Sequence, residues 1–154
     1  MEQNVNNTGV IVPEEAVRGS EEKKRQHRTV RQTQVYRDMA NLKFLVARYM
    51  GKSPRRYAKF FDTMLLTVSN GKQSLAMGLT GHDAARKAED ISYAQVMVED
   101  IQDDAVILFQ LGVLSKSEKK ALRRLAQNIS AQIVRLRDYF SSQGIDINGN
   151  TSQQ

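Results

Sequence analysis

The chain has 154 residues, no cysteine and a net charge of +6, from 23 Lys and Arg against 17 Asp and Glu. This length suits one domain that buries roughly two thirds of its unfolded surface, and the lack of cysteine excludes disulfides and thiolate chemistry. No apolar run approaches the roughly 20 residues of a membrane span, and the N-terminus lacks the charged-then-apolar order of a signal peptide. We therefore expect a soluble, cytoplasmic protein whose positive charge favours polyanionic partners.

The two ends of the chain differ in composition from its centre. Residues 1–19 are polar and Asn-rich, and the run from Ser20 to Arg31 contains five Lys and Arg against two Glu. We predict a disordered basic arm over residues 1–29, one helical domain over 30–143 and a disordered tail over 144–154. The charged run has two interpretations, a mobile tail that captures phosphates or a solvated extension of the first helix.

Helical periodicity predicts the first two helices of the domain. The first covers about residues 30–50 and is expected to end at Gly51. Ser53-Pro54 predicts the start of the second, because serine caps helix N-termini and proline fits the first helical position. Its apolar stripe continues to Leu79 but is interrupted at residues 70–72, where we expect a kink or a weak point.

A third helix follows a glycine-containing turn. Gly78 and Gly81 are expected to bracket this turn, and Asp83 is expected to cap the helix that comes after it. The apolar stripe then extends to about Leu111, and Gly112 has the position of a C-terminal stop.

The fourth helix begins with a capping box, in which Ser115 and Glu118 each bond to a backbone N–H of the other. Apolar residues recur on one face from Leu122 to Phe140, and Lys and Arg occupy the opposite face. Four amphipathic helices with short connections predict an all-α, antiparallel up-and-down four-helix bundle.

Groups that could support catalysis or bind a metal are scarce. With two His, no Cys and no glycine-rich phosphate loop, the sequence predicts neither enzymatic activity nor a cofactor. His82-Asp83 resembles half of a catalytic dyad, but helix capping explains the aspartate. A carboxylate cluster on the third helix lacks the inward Glu-x-x-His pairs of a di-metal bundle, so we interpret it as a solvated or partner-facing patch. Its members are Glu99, Asp100, Asp103 and Asp104.

Basic residues concentrate near the start of the second and fourth helices. Cations are disfavoured there because a helix N-terminus already carries about half a positive charge, and a bound anion would relieve the repulsion. The up-and-down topology brings these N-termini together with the end of the first helix, which predicts a phosphate-binding pole. The candidate nucleic-acid-binding residues are Lys43, Arg48, Lys52, Arg55, Arg56, Lys59, Lys116, Lys119, Lys120, Arg123 and Arg124.

Nearby aromatic residues are candidates for contacts with bases. Tyr49 and Tyr57 fit the core stripes, whereas Phe60 lies off its stripe and is the candidate for stacking or for an interface. The alternative is that the charges provide solubility or pair the acidic third helix of one subunit with a basic face of the next, closing a ring.

Short motifs follow one another in order over residues 36–140. Tyr49 precedes the basic loop Ser53-Pro54-Arg55, and the run Phe60-Phe61-Asp62-Thr63-Met64-Leu65 follows; Arg86 then comes early in the third helix, and Leu111-Gly112-Val113-Leu114-Ser115 precedes the last. In these motifs the chain resembles the four-helix-bundle superfamily that includes ribosomal-RNA intervening-sequence proteins and the accessory variability proteins of diversity-generating retroelements.

The resemblance implies a small basic protein that forms a barrel-like homopentamer, binds nucleic acid and a reverse transcriptase, and has no catalytic residues. The long N-terminal arm and the acidic third helix depart from that pattern. We therefore expect a non-catalytic, oligomeric nucleic-acid-binding accessory protein that assists a retroelement reverse transcriptase. Two alternatives remain, a structural bundle whose charged faces pair subunits and a DNA-binding accessory of a conjugative relaxosome.

Overall fold

The computed structural model describes residues 33–142 apart from His82. Within this range the helices are α1 (Gln34–Lys52), α2 (Ala58–Thr80), α3 (Ala84–Gln110) and α4 (Lys116–Ser142), with a 3₁₀ turn at Arg55–Tyr57. α1 and α3 each pack against both α2 and α4. The chain is therefore an all-α, up-and-down four-helix bundle, as predicted. The predicted arm, the tail and the stretch before Thr33 lie outside the described residues.

The core is built from the apolar stripes that the helical period predicts. Each helix contributes fully buried side chains, such as Leu42, Phe61, Ile101 and Ile129. Among the described residues, none that is buried is polar or charged. Since each such side chain stabilises the fold by about 1.5–3 kcal/mol, the apolar core holds the bundle together. None of the helices between residues 33 and 142 is both long and apolar enough to cross a membrane.

The junction between α1 and α2 differs from the prediction. α1 continues through Gly51, and α2 begins only at Ala58, after the 3₁₀ turn. Ser53 caps the end of α1 instead of the start of α2: its hydroxyl donates to the Tyr49 carbonyl at 2.8 Å, and its backbone N–H donates to the Met50 carbonyl at 3.1 Å. These bonds satisfy two carbonyls that a helix end leaves without partners.

Two glycines of α2 are sites of close helix packing. α2 is one continuous helix through Gly71, where a kink or weak point was predicted, and Gly78 lies inside the helix and not in the following turn. A Cβ atom on Gly71 would lie 3.0 Å from both Met39 Cε and Met97 Cβ. A Cβ atom on Gly78 would lie 2.7 Å from Ile91 Cγ1. The absent side chains thus let α2 approach α1 and α3 closely.

The predicted caps of α3 and α4 are confirmed. Asp83 Oδ1 accepts the backbone N–H groups two and three residues later, at 3.0 and 3.3 Å. Gly112 has a φ of 71°, the left-handed conformation that ends many helices. In the capping box, the Ser115 N–H donates to Glu118 Oε2 at 2.8 Å and the Glu118 N–H donates to Ser115 Oγ at 3.2 Å. These caps fix the start of α4 at the end of the bundle where α1 stops.

Candidate nucleic-acid interface

One end of the bundle carries most of the predicted cations, because α1 ends there and α2 and α4 begin there. Their side chains are exposed, except for that of Lys119, which is half-buried. We call this group the basic pole: Arg48, Lys52, Arg55, Arg56, Lys59, Lys116, Lys119 and Lys120.

Three predicted residues lie away from the pole, although all three are exposed. Lys43 lies nine residues before the end of α1, about 13 Å along the helix axis, and Arg123 and Arg124 lie two turns inside α4. The two arginines instead extend the basic face of α4 down the side of the bundle. We call this face the α4 stripe: Lys116, Lys119, Lys120, Arg123 and Arg124.

The α4 stripe is a row of like charges. Its members are spaced i, i+3, i+4, i+7 and i+8, and with Gln127 they line one open depression on the helix. Like charges four residues apart destabilise a helix by about 0.2–0.5 kcal/mol per pair. Within the described part of the chain, no carboxylate forms an ion pair with any of them. A bound anion would therefore relieve a repulsion that no ion pair among the described residues compensates.

The helix-dipole argument applies only in part to both helices. In α4, three lysines lie in the first turns, but the Glu118 carboxylate in the same first turn offsets part of the positive end. Lys52 lies in the last turn of α1, where the dipole favours a cation. Arg55 and Arg56 belong to the 3₁₀ turn, and only Lys59 of the pole lies in the first turn of α2. That turn has no acidic residue and no side-chain cap, which leaves it the positive character that attracts anions.

Glu118 is an acidic member of this end of the bundle, and sequence reasoning treated it only as a cap. The hydrogen bond from the Ser115 backbone N–H lowers the pKa of the Glu118 carboxyl; the charges of Lys52 and Arg48 add to the effect, although burial opposes it. The carboxylate therefore stays ionised near neutral pH. Its interaction with the two cations shows that the end of α1 lies beside the start of α4.

The aromatic residues near the basic pole are buried or half-buried. Tyr49 is buried, as predicted, and burial raises the pKa of its phenol. Tyr57 is half-buried, with the Arg56 guanidinium 5.1 Å from its ring centroid. Phe60, the predicted candidate for stacking or for an interface, is also half-buried and packs against the core.

Sequence reasoning missed Phe44, whose side chain is 71% exposed, the highest value for a large hydrophobic residue in the described range. The position of Phe44 in the helical pattern could have indicated its exposure. Phe44 lies midway between the core residues Leu42 and Val46, two positions from each, and such a residue faces away from the core.

The acidic patch of α3 lies on the outside of the bundle. Burial and the charges of Asp100 and Asp103 raise the pKa of the Asp104 carboxyl, which is the mark of crowded carboxylates. Exposed apolar residues, among them Val96 and Ile107, lie on the same helix. No three His, Asp or Glu side chains between residues 33 and 142 are arranged to hold a metal ion.

Comparison with protein-family models finds no matching family, and comparisons with curated proteins and with solved structures find no significant match. The resemblance to retroelement accessory proteins therefore stays a prediction from motifs.

Proposed function

We propose that this protein is a non-catalytic nucleic-acid-binding protein that contacts phosphates through the basic pole and the α4 stripe. Its main support is the convergence of eight cations from α1, the 3₁₀ turn, α2 and α4 at one end of the bundle. Phosphate contacts by Lys and Arg release counterions from nucleic acid, which favours binding of any sequence. Arg55 and Arg56 belong to the connection between two helices, where both residues are exposed, and a guanidinium group can form bidentate bonds to phosphate.

The accessory role comes from the motif resemblance. On that ground we propose a retroelement reverse transcriptase as the protein partner and a homo-oligomer, pentameric in the resembling proteins, as the assembly. A relaxosome accessory would have the same basic surface. The neighbouring gene distinguishes these two roles, since one expects a reverse transcriptase and the other a relaxase.

The pole is tested by the double variant Arg55→Glu with Arg56→Glu. We expect weaker binding of a labelled oligonucleotide, and a plot of log affinity against log salt that is shallower by about 0.9 for each phosphate that the variant no longer neutralises. Fluorescence polarisation across a salt series measures both quantities.

The chain offers a matched control for this variant. Arg86 and Arg135 are also exposed, but Arg86 lies in the first turn of α3 and Arg135 in the C-terminal part of α4, toward the opposite end of the bundle. Arg86→Glu with Arg135→Glu changes the net charge equally and should leave most of the affinity intact. Equal losses of affinity in both double variants, or no loss in either, would rule out the pole as the binding site.

A second candidate function is assembly through complementary faces. It is favoured because the α3 carboxylates and the α4 stripe form no ion pair with each other among the described residues. If the acidic face of one subunit contacts the stripe of the next, the contacts are heterologous and close into a ring.

Assembly of this kind can be tested by measuring the molecular mass in solution. Asp100→Lys with Asp103→Lys should lower the mass measured by light scattering, and high salt should do the same to the unmodified protein. A mass that does not change in either experiment contradicts this candidate and leaves the nucleic-acid proposal intact.

A further inference from the structure

α1 presents one aromatic ring to solvent on the side of the bundle next to the pole. Phe44 is 71% exposed, whereas Leu42 and Val46 on the opposite face of the same helix are fully buried. The Phe44 ring therefore contributes little to the core and adds little of the about 1.5–3 kcal/mol of stability that full burial of such a ring would give.

Cations flank this ring along its own helix face. Arg48, four residues later, and Arg37, seven residues earlier, are both exposed, and helical spacing places them on the side of α1 that carries Phe44. Close to the ring, the surface of α1 carries small residues. Ala47 has only a methyl side chain, and no atom lies within 4 Å of the position that a Cβ of Gly51 would take. A planar group can therefore approach the ring without displacing a large side chain.

The ring lies within reach of a strand held by the pole. Lys52 is eight residues beyond Phe44, about 12 Å along the axis, and Arg48 lies halfway between them. Aromatic side chains in a positively charged groove stack on unpaired bases, and they do so with little preference for sequence. Paired bases in a duplex have both faces covered by their neighbours and are not available for such a contact.

We infer that Phe44 is a stacking platform for an unpaired base, so that the ligand of the pole is single-stranded nucleic acid. This inference rests on the proposed nucleic-acid-binding function. Leu66 provides the comparison that isolates it. Leu66 is 61% exposed on α2, but its neighbours one turn away on either side are Asp62, Thr63, Ser69 and Asn70, none of them a cation.

The test uses the full chain with a fluorescein-labelled single strand and with the duplex formed from the same strand. Phe44→Ala should weaken single-strand binding about 5- to 100-fold and leave the salt dependence unchanged, since no phosphate contact is removed. Duplex affinity should not change. Phe44→Tyr should retain single-strand affinity because the ring is kept, and Leu66→Ala should behave as the unmodified protein.

A base analogue gives a direct readout of stacking. The chain contains no tryptophan, so 2-aminopurine placed in the single strand can be observed without interference from the protein. Its fluorescence should be quenched on binding to the unmodified protein and to Phe44→Tyr, and less so on binding to Phe44→Ala.

Unchanged single-strand affinity in Phe44→Ala overturns the inference, and so do equal reductions in affinity for single strand and duplex. A lower mass of Phe44→Ala in light scattering, with unchanged strand affinity, would assign the ring to an interface between copies instead. Nucleic-acid binding as the proposed function fails if the unmodified protein binds neither form in a salt-dependent way. The two failures are thus distinguishable.

Discussion

The Nζ atom of Lys119 lies 4.0 Å from the centroid of the Phe109 ring, so the first turns of α4 are joined to the last turn of α3 by a cation–π contact. The other members of the α4 stripe have no such partner among the described residues. The cations of the stripe are therefore not equivalent, and their contributions to binding should differ.

We expect Lys119→Gln to weaken nucleic-acid binding less than Lys120→Gln. Lys120 is exposed and free to contact phosphate, so its removal should reduce the slope of log affinity against log salt by about 0.7 for a single strand, whereas Lys119 already faces the Phe109 ring. A double-mutant cycle of Lys119→Gln with Phe109→Leu should give a coupling of about 0.5–1 kcal/mol in urea unfolding. Equal effects of the two lysines on binding would contradict this ranking.

Alanine at two glycines should have opposite effects on stability. Gly78→Ala places a Cβ 2.7 Å from Ile91 Cγ1 and 3.2 Å from the Lys87 carbonyl oxygen, so overpacking should lower the free energy of unfolding by about 1–3 kcal/mol. The Cβ added by Gly51→Ala would have no atom within 4 Å. This substitution should raise the free energy of unfolding by up to about 1 kcal/mol, since alanine favours the helix. Urea unfolding measures both, and stabilisation by Gly78→Ala would show that α2 can move away from α3.

The capping box should make stability depend on pH. Because the folded-state pKa of Glu118 is lowered, its contribution is complete above the ordinary glutamate pKa of about 4.3 and is lost as pH falls through the lower folded-state value. Glu118→Gln, which removes the negative charge beside Lys52, Arg48 and the helix N-terminus, should cost about 0.5–1 kcal/mol at neutral pH, and this cost should shrink below that window. A cost that stays constant down to pH 2 would contradict the role of the ionised carboxylate.

The crowded carboxylates of α3 should act in the opposite direction. The pKa of Asp104 is raised, so the stability linked to its protonation is present below the ordinary aspartate pKa of about 3.9 and is lost as pH rises through the folded-state value. Asp104→Asn should therefore stabilise the protein at neutral pH, by about 0.2–0.5 kcal/mol for the like-charge pair with Asp100. High salt should reduce the part of the gain that comes from the neighbouring charges and leave the part that comes from burial of Asp104. Asp62→Asn on α2 is the control, since Lys59 lies one turn away and no gain is expected.

The sequence alone determined the helices and the direction of their buried faces. Periodic apolar residues follow from the geometry of the helix itself, and caps such as Asp83 and the Ser115–Glu118 box are local bonds between neighbours in the chain. The topology then required that Lys52, Arg55 and Lys116 meet at one end. These features need no knowledge of which side chains touch across the bundle.

Only the tertiary structure decided which residues pack closely, which helix end Ser53 caps and which aromatic rings stay exposed. In the sequence, Gly71 and Gly78 indicated a weak point in the helix and a turn. In the structure, contacts with other helices make both residues sites of close packing. Ser53 could cap the end of α1 or the start of α2, and the position at which α1 ends decided for α1. Phe60 lies off the stripe but is half-buried against the core, whereas the Phe44 side chain is 71% exposed. The physical reason is common to these residues: exposure and close approach depend on atoms that are far away in sequence.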